Sequence, residues 1–181
     1  IFQGYVDRFV QQVQSMKVGD PMDEKTVIGP MIDLKAAERA EDWIQEAVSQ
    51  GAKILTGGKR SGALFEPTVL VDTKPEMQVN CQEVFAPVVT VTAYGQLTQA
   101  IAQVNHSPFG LQAGLFSRDI QKVFTAFDQI DVGGLIINDV PTYRVDHMPY
   151  GGIKESGFGR EGIRYAIEEM TDLKLLALNL L

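Results

Sequence analysis

The chain predicts an α/β fold with a mainly parallel sheet. Three observations carry this. Residues 88–94, 113–116 and 135–137 are apolar runs of strand length. Two helical repeats separate them, so the order is strand, helix, strand, helix, strand. That order points to parallel pairing through right-handed crossovers. Finally, 181 residues at 45% hydrophobic content suit one domain with a normal core and no staples.

From the N-terminus, Phe2, Tyr5, Phe9, Val13 and Met16 repeat at helical spacing until Gly19-Asp20-Pro21 ends the pattern. A loop follows, punctuated by Gly29-Pro30. Leu34, Ala37, Ala40, Ile44, Ala47 and Val48 mark a second helix, with Asp33 as N-cap and Gly51 as stop. Residues 53–56 read as a strand closed by Gly57-Gly58, and 68–71 as another. Leu97, Ala100, Ile101 and Val104 give the first crossover helix. Ile120, Val123, Phe127 and Ile130 give the second. Residues 138–159 form a glycine-rich loop, followed by a helix around Ile163, Ile167 and Met170 and an apolar tail. No repeat, low-complexity run or linker interrupts the chain.

Sixteen Lys+Arg against 23 Asp+Glu leave a net charge of −7. Nucleic acids and anionic membranes require a positive field, so neither is an expected partner. No run approaches the roughly 18 apolar residues of a membrane span, and no basic segment precedes an apolar core at the N-terminus. A cytoplasmic protein is expected. One cysteine, Cys81, and two histidines, His106 and His147, are too few for a Cys- or His-based metal site, so none is expected. The chain opens on Ile1 inside a helical pattern and not on Met, which suggests a fragment.

Gly157-Phe158-Gly159-Arg160-Glu161-Gly162 spells GxGxxG. A dinucleotide fingerprint needs a core strand immediately before it, and Gly151-Gly152-Ile153-Lys154-Glu155-Ser156 does not supply one. A loop-to-helix turn is expected instead. Cys81 has Asn80, Gln82 and Glu83 as neighbours, none of which would lower a thiol pKa. His106 and His147 lack a paired acid at helical spacing. Glu83-Val84-Phe85-Ala86-Pro87 offers a carboxylate able to accept from a diol and an aromatic ring able to pack on a flat ligand. A solvated Glu with a core Phe is the alternative.

Together these segments resemble the aldehyde dehydrogenase superfamily. Glu83-Val84-Phe85-Ala86-Pro87 is similar to its E-[IV]-F-[GA]-P signature, with Ala86 at a position where glycine is commoner. Asn105-His106-Ser107-Pro108-Phe109-Gly110-Leu111, Gly133-Gly134 with Asn138, and the run from Pro149 to Gly162 resemble further motifs in the family's order. Val18-Gly19-Asp20-Pro21 and Ile28-Gly29-Pro30 fit as well. The resemblance implies an open, doubly wound, mainly parallel sheet with helices on both faces. It makes residues 1–170 a partial catalytic domain and 171–181 a C-terminal arm.

The resemblance also implies a chemistry for the complete enzyme. A cysteine thiolate attacks an aldehyde, the thiohemiacetal passes hydride to NAD or NADP, and a glutamate-activated water hydrolyses the thioester. The family's nucleophile, general base and coenzyme domain would precede Ile1, so no catalytic residue is assigned here and the chain alone is expected to be inactive. Glu83 matches the residue that accepts from the nicotinamide ribose. Phe85 and Leu111 match apolar contacts near the ring. The loop 139–147 falls where the family builds its aldehyde tunnel, so Asn138, Tyr143, Arg144, His147 and Tyr150 are the expected substrate pocket. Arg144 suits an anionic tail, because its planar fork matches carboxylate and phosphate, and a small polar or anionic aldehyde is the expected substrate; the alternative is a surface Arg paired with Asp146 or another acid. The tail is expected to pair as a strand with a second copy, giving a homo-oligomer. A non-catalytic family member acting through its oligomer interface, and an acylating member using coenzyme A, stay open.

Overall fold

The computed structural model describes residues 1–180. Its contacts fall into two compact units, Ile1–Tyr94 and the part beginning at Gly95.

In the first unit, α1 (Phe2–Gln14) buries Val6 and Val13. α2 (Leu34–Ser49) buries Ala36, Ala37, Ala40, Ile44 and Ala47, one face at helical spacing. Asp33 caps α2 as expected, its Oδ1 accepting from the Ala36 N–H at 2.7 Å. The strands follow as β1 (Lys53–Thr56), β2 (Arg60–Ser61), β3 (Leu64–Phe65) and β4 (Thr68–Val71). A short α3 (Gln78–Cys81) then precedes β5 (Val88–Val91). β4 is buried along its whole length and is the centre of a three-stranded sheet. It pairs antiparallel with β1 and parallel with β5, Thr68 opposite Val88. The β2–β3 hairpin delivers Phe65, which is 0% exposed, into a core with Ile44, Leu70, Met77 and Val79.

In the second unit, α4 (Leu97–His106) is closed at its start by a capping box, Gln99 Oε1 accepting from the Gln96 N–H at 3.2 Å. β6 (Phe109–Gly110) and β7 (Gln112–Leu115) follow. α5 (Ile120–Gln129), capped by Asp119, then leads to β8 (Gly134–Ile137). β7 and β8 pair in parallel with a helix between them, as the alternation predicts. β9 (Ile153–Lys154) lies inside the predicted loop and pairs antiparallel with β6. α6 (Ile163–Glu169) closes the unit. Each parallel ladder forms within one unit, β4–β5 in the first and β7–β8 in the second.

The GxGxxG run behaves as a turn. Gly157, Gly159 and Gly162 sit at φ of +125°, +71° and +116°, a region side chains disfavour, and the helix after them has seven residues. Residues 172–180 take no strand in the single chain, and Leu173, Leu175, Leu176 and Leu178 are exposed there. The strand expected in this tail is therefore not formed among the described residues. Among the described residues no helix is long and apolar enough to cross a membrane.

Candidate functional site

The segment from Glu83 to Pro87 is shaped by what it must bury. Val84 and Ala86 pack against the core of the first unit. The Val84 carbonyl accepts from Arg39 Nη2 at 3.1 Å, and the Arg39 guanidinium lies 5.3 Å from the Trp43 ring centroid. Past Ala86, the Thr68 N–H donates to the Pro87 carbonyl at 2.8 Å, which leads the chain into β5. With both neighbours turned inward, Phe85 is turned out: its residue is 77% exposed, and its backbone adopts φ +49°. A bulky side chain in the left-handed region is an outlier that costs on the order of 1–3 kcal/mol, and such strain gathers at functional sites. Glu83 is exposed beside it and makes no ion pair among the described residues. An unpartnered carboxylate is acceptor-only, and next to an outward ring it fits a ligand that brings hydroxyl donors and a flat apolar face. Both residues are exposed, and Phe85 is not part of the core of the first unit.

Cys81 ends α3, with its thiol 3.5 Å from the Glu76 carbonyl oxygen. No cation or base stands against it in the hydrogen bonds or ion pairs described. No cluster of three or more His, Cys, Asp or Glu able to hold a metal occurs among the described residues.

In the second unit the predicted pocket residues divide. Arg144 stacks over the Tyr150 ring, 4.8 Å from its centroid, and its Nη2 is 2.9 Å from Glu161 Oε2. The acid is thus Glu161 and not Asp146, two residues along the chain. Tyr150 and Glu161 are themselves joined backbone to backbone, the Tyr150 N–H donating at 3.1 Å and the Glu161 N–H at 2.6 Å. Tyr143 and His147 are exposed in the same loop. Gln112 Nε2 donates to the Pro141 carbonyl at 2.5 Å and to the Tyr143 carbonyl at 3.3 Å, tying the loop to β7. Asn138 is differently employed. At φ +59°, its Oδ1 accepts from the Ser117 N–H at 2.9 Å, so the side chain holds the end of β8 to the turn after β7. Leu111 is 40% exposed, between β6 and β7.

Several residues of the 149–162 run do work that reading the sequence did not assign. Lys154, at φ +56°, donates to the Asn105 and Ser107 carbonyls at 3.0 and 3.2 Å, neutralising the end of α4. Ser156 Oγ accepts from the Gly110 N–H at 2.9 Å. Arg160 Nη1 donates to the Gly152 and Gly159 carbonyls at 2.9 and 2.6 Å. The available signal was the motif itself: polar residues at set positions in a glycine-rich loop usually hold backbone groups.

Comparison with known proteins adds an independent line. The family model described as "Aldehyde dehydrogenase family" matches residues 1–176. The chain is 52% identical over 180 residues to a 3-sulfolactaldehyde dehydrogenase of Priestia megaterium, covering 99% of this chain and 38% of that protein. A crystal structure of aldehyde dehydrogenase 21 from Physcomitrella patens, in complex with the reaction product succinate, superposes with a TM-score of 0.91. It is 45% identical, covering 93% of this chain and 35% of that one. A crystal structure of glyceraldehyde-3-phosphate dehydrogenase from Methanocaldococcus jannaschii complexed with NADP gives 0.89 at 38% identity, over 95% of this chain and 37% of that one. The chain thus spans a little over a third of the length of these relatives.

Proposed function

This chain belongs to the aldehyde dehydrogenase family, and on that premise we propose that it serves as the coenzyme-positioning and substrate-selecting part of an NAD(P)-dependent dehydrogenase acting on small anionic aldehydes. The observation that carries the reading is the outward pair of Glu83 and Phe85. A free carboxylate accepts hydrogen bonds from both hydroxyls of a ribose, and charge-assisted bonds of this kind are roughly twice as strong as neutral ones. The Phe85 ring, held out by the inward packing of Val84 and Ala86, supplies an apolar face beside it. NAD or NADP, when bound, supplies the hydride acceptor. What this chain contributes is orientation, with Glu83 holding the sugar and Phe85 limiting where the ring can lie.

Small anionic aldehydes are favoured by Arg144, whose guanidinium stands half exposed and pre-oriented on Tyr150. Two relatives agree with an anionic tail, since sulfolactaldehyde carries a sulfonate and succinate a second carboxylate, while the lactaldehyde dehydrogenases among the relatives agree only with a small polar aldehyde. In this reading Tyr143, His147 and Tyr150 line the substrate pocket with Arg144, and Asn138 sets how the loop leaves β8. The residues that attack the aldehyde and activate water lie outside this chain in this reading. A cytoplasmic setting is part of the same reading.

Two measurements test it. In the intact enzyme, Glu83→Ala is expected to slow single-turnover hydride transfer about tenfold while shifting the melting temperature by less than about 2 °C, since the side chain is exposed and unpaired. Unchanged single-turnover and steady-state rates would remove the assignment. The exposed leucines of the tail lead us to propose that residues 171–181 pair with a second copy. Light scattering should then show a dimer or larger that dissociates when residues 172–181 are deleted; a monomer before deletion would contradict it.

A further inference from the structure

We infer that Glu161 is a resident counter-anion for Arg144, which the anionic tail of the substrate displaces on binding. The inference rests on the anionic-aldehyde reading above and adds the residue that sets its selectivity. Three observations carry it. First, the Arg144 guanidinium is already engaged: Glu161 Oε2 is 2.9 Å from Nη2, so an incoming anion meets an occupied fork. Second, the engagement is weak. The side chains are 45% and 61% exposed, and an ion pair in that setting is weak enough for an incoming carboxylate or sulfonate to replace it. Third, both partners are held independently of the pair. The Tyr150 ring lies under the guanidinium at 4.8 Å, and reciprocal backbone bonds fix Tyr150 to Glu161. When the carboxylate lets go, Arg144 keeps its place on the ring and Glu161 stays next to it.

The arrangement works as a threshold. A neutral aldehyde has nothing to offer the fork, so Arg144 stays with Glu161. An anionic one trades a protein carboxylate for its own, and net affinity is the difference between the two. No bond is made or broken in this step; only hydrogen bonds exchange.

The test measures binding of succinate, with butyramide as a neutral control, to the coenzyme-loaded intact enzyme by calorimetry. Glu161→Gln removes the competing charge and keeps the backbone bonds to Tyr150. It is expected to lower the Kd for succinate about two- to fivefold, with butyramide unmoved. Glu161→Asp, which keeps the charge but draws it back by one methylene, is expected to fall between the parent and the Gln variant. Arg144→Leu is expected to raise the Kd for succinate about tenfold or more. If Arg144→Leu weakens succinate while neither Glu161 variant tightens it, the exchange is overturned and the anionic-substrate reading stands. If Arg144→Leu leaves succinate binding unchanged, the reading beneath the inference fails with it.

Discussion

Phe85→Gly is expected to leave the protein as stable as before or more so, while slowing turnover of the intact enzyme by about a hundredfold. The two effects have separate causes. Phe85 pays for a left-handed backbone at φ +49° and returns little burial in the chain, because its residue is 77% exposed. Glycine takes that φ without strain, a relief of about 1–2 kcal/mol. Its looser unfolded state takes back roughly 0.4–1 kcal/mol. The net is a gain of about 0–1.6 kcal/mol, or up to about 3–6 °C in Tm. In the proposed role function moves the other way: without the ring a bound nicotinamide would be free to shift, and a misplacement of about 1 Å can cost 10²-fold. Phe85→Ala separates the terms: it removes the ring and keeps the strain, so the rate should fall with no stability gain. Calorimetry and single-turnover kinetics on the same pair of variants decide it. A glycine variant that melts lower and turns over normally would mean that Phe85 is merely structural.

The largest expected loss of stability from a single methyl is at Gly133. A Cβ there would run into the Gly151 carbonyl oxygen and stand 3.0 Å from the Leu111 carbonyl oxygen. Both obstacles are backbone, and the segments they belong to are pinned. The Gly133 N–H donates to Gly110 at 3.0 Å, and the Gly134 N–H donates to Leu111 at 3.2 Å. No flexible side chain is available to move aside, so Gly133→Ala should cost at the top of the overpacking range, about 3 kcal/mol. That is about 6–12 °C in Tm for a chain of this size. Gly4→Ala is the matched control: it sits in α1 with nothing within 4 Å of the added methyl and should stabilise by about 0.5–1 kcal/mol. Thermal melts of the two variants, moving in opposite directions, check the account; a Gly133→Ala protein that melts with its parent would contradict it.

Much of the fold was readable because its signals are local. Asp33 as cap, the alanine stripe of α2, the alternation from β5 to β8 and the rejection of GxGxxG each depend on residues within a turn or two of one another. β6 and β9 escaped notice because two-residue strands have no period, and their partners lie more than 40 residues apart. The candidate site was legible as a set of residue types. Glu83, Phe85 and Arg144 stand out by chemistry and by motif, but what surrounds them does not.

Motif order therefore suffices for the family and the α/β class, and it singles out Glu83 and Arg144 by residue type and position. Folding had to decide the rest. It turned Phe85 outward, because Val84 and Ala86 claim the core on either side of it. It gave Arg144 to Glu161 and not to Asp146 two residues away, because the Tyr150–Glu161 backbone pairing brings a residue 17 positions along the chain under the guanidinium. Side-chain direction and ion-pair choice follow from long-range backbone pairing and from competition for buried space, and neither is encoded in any short stretch of chain.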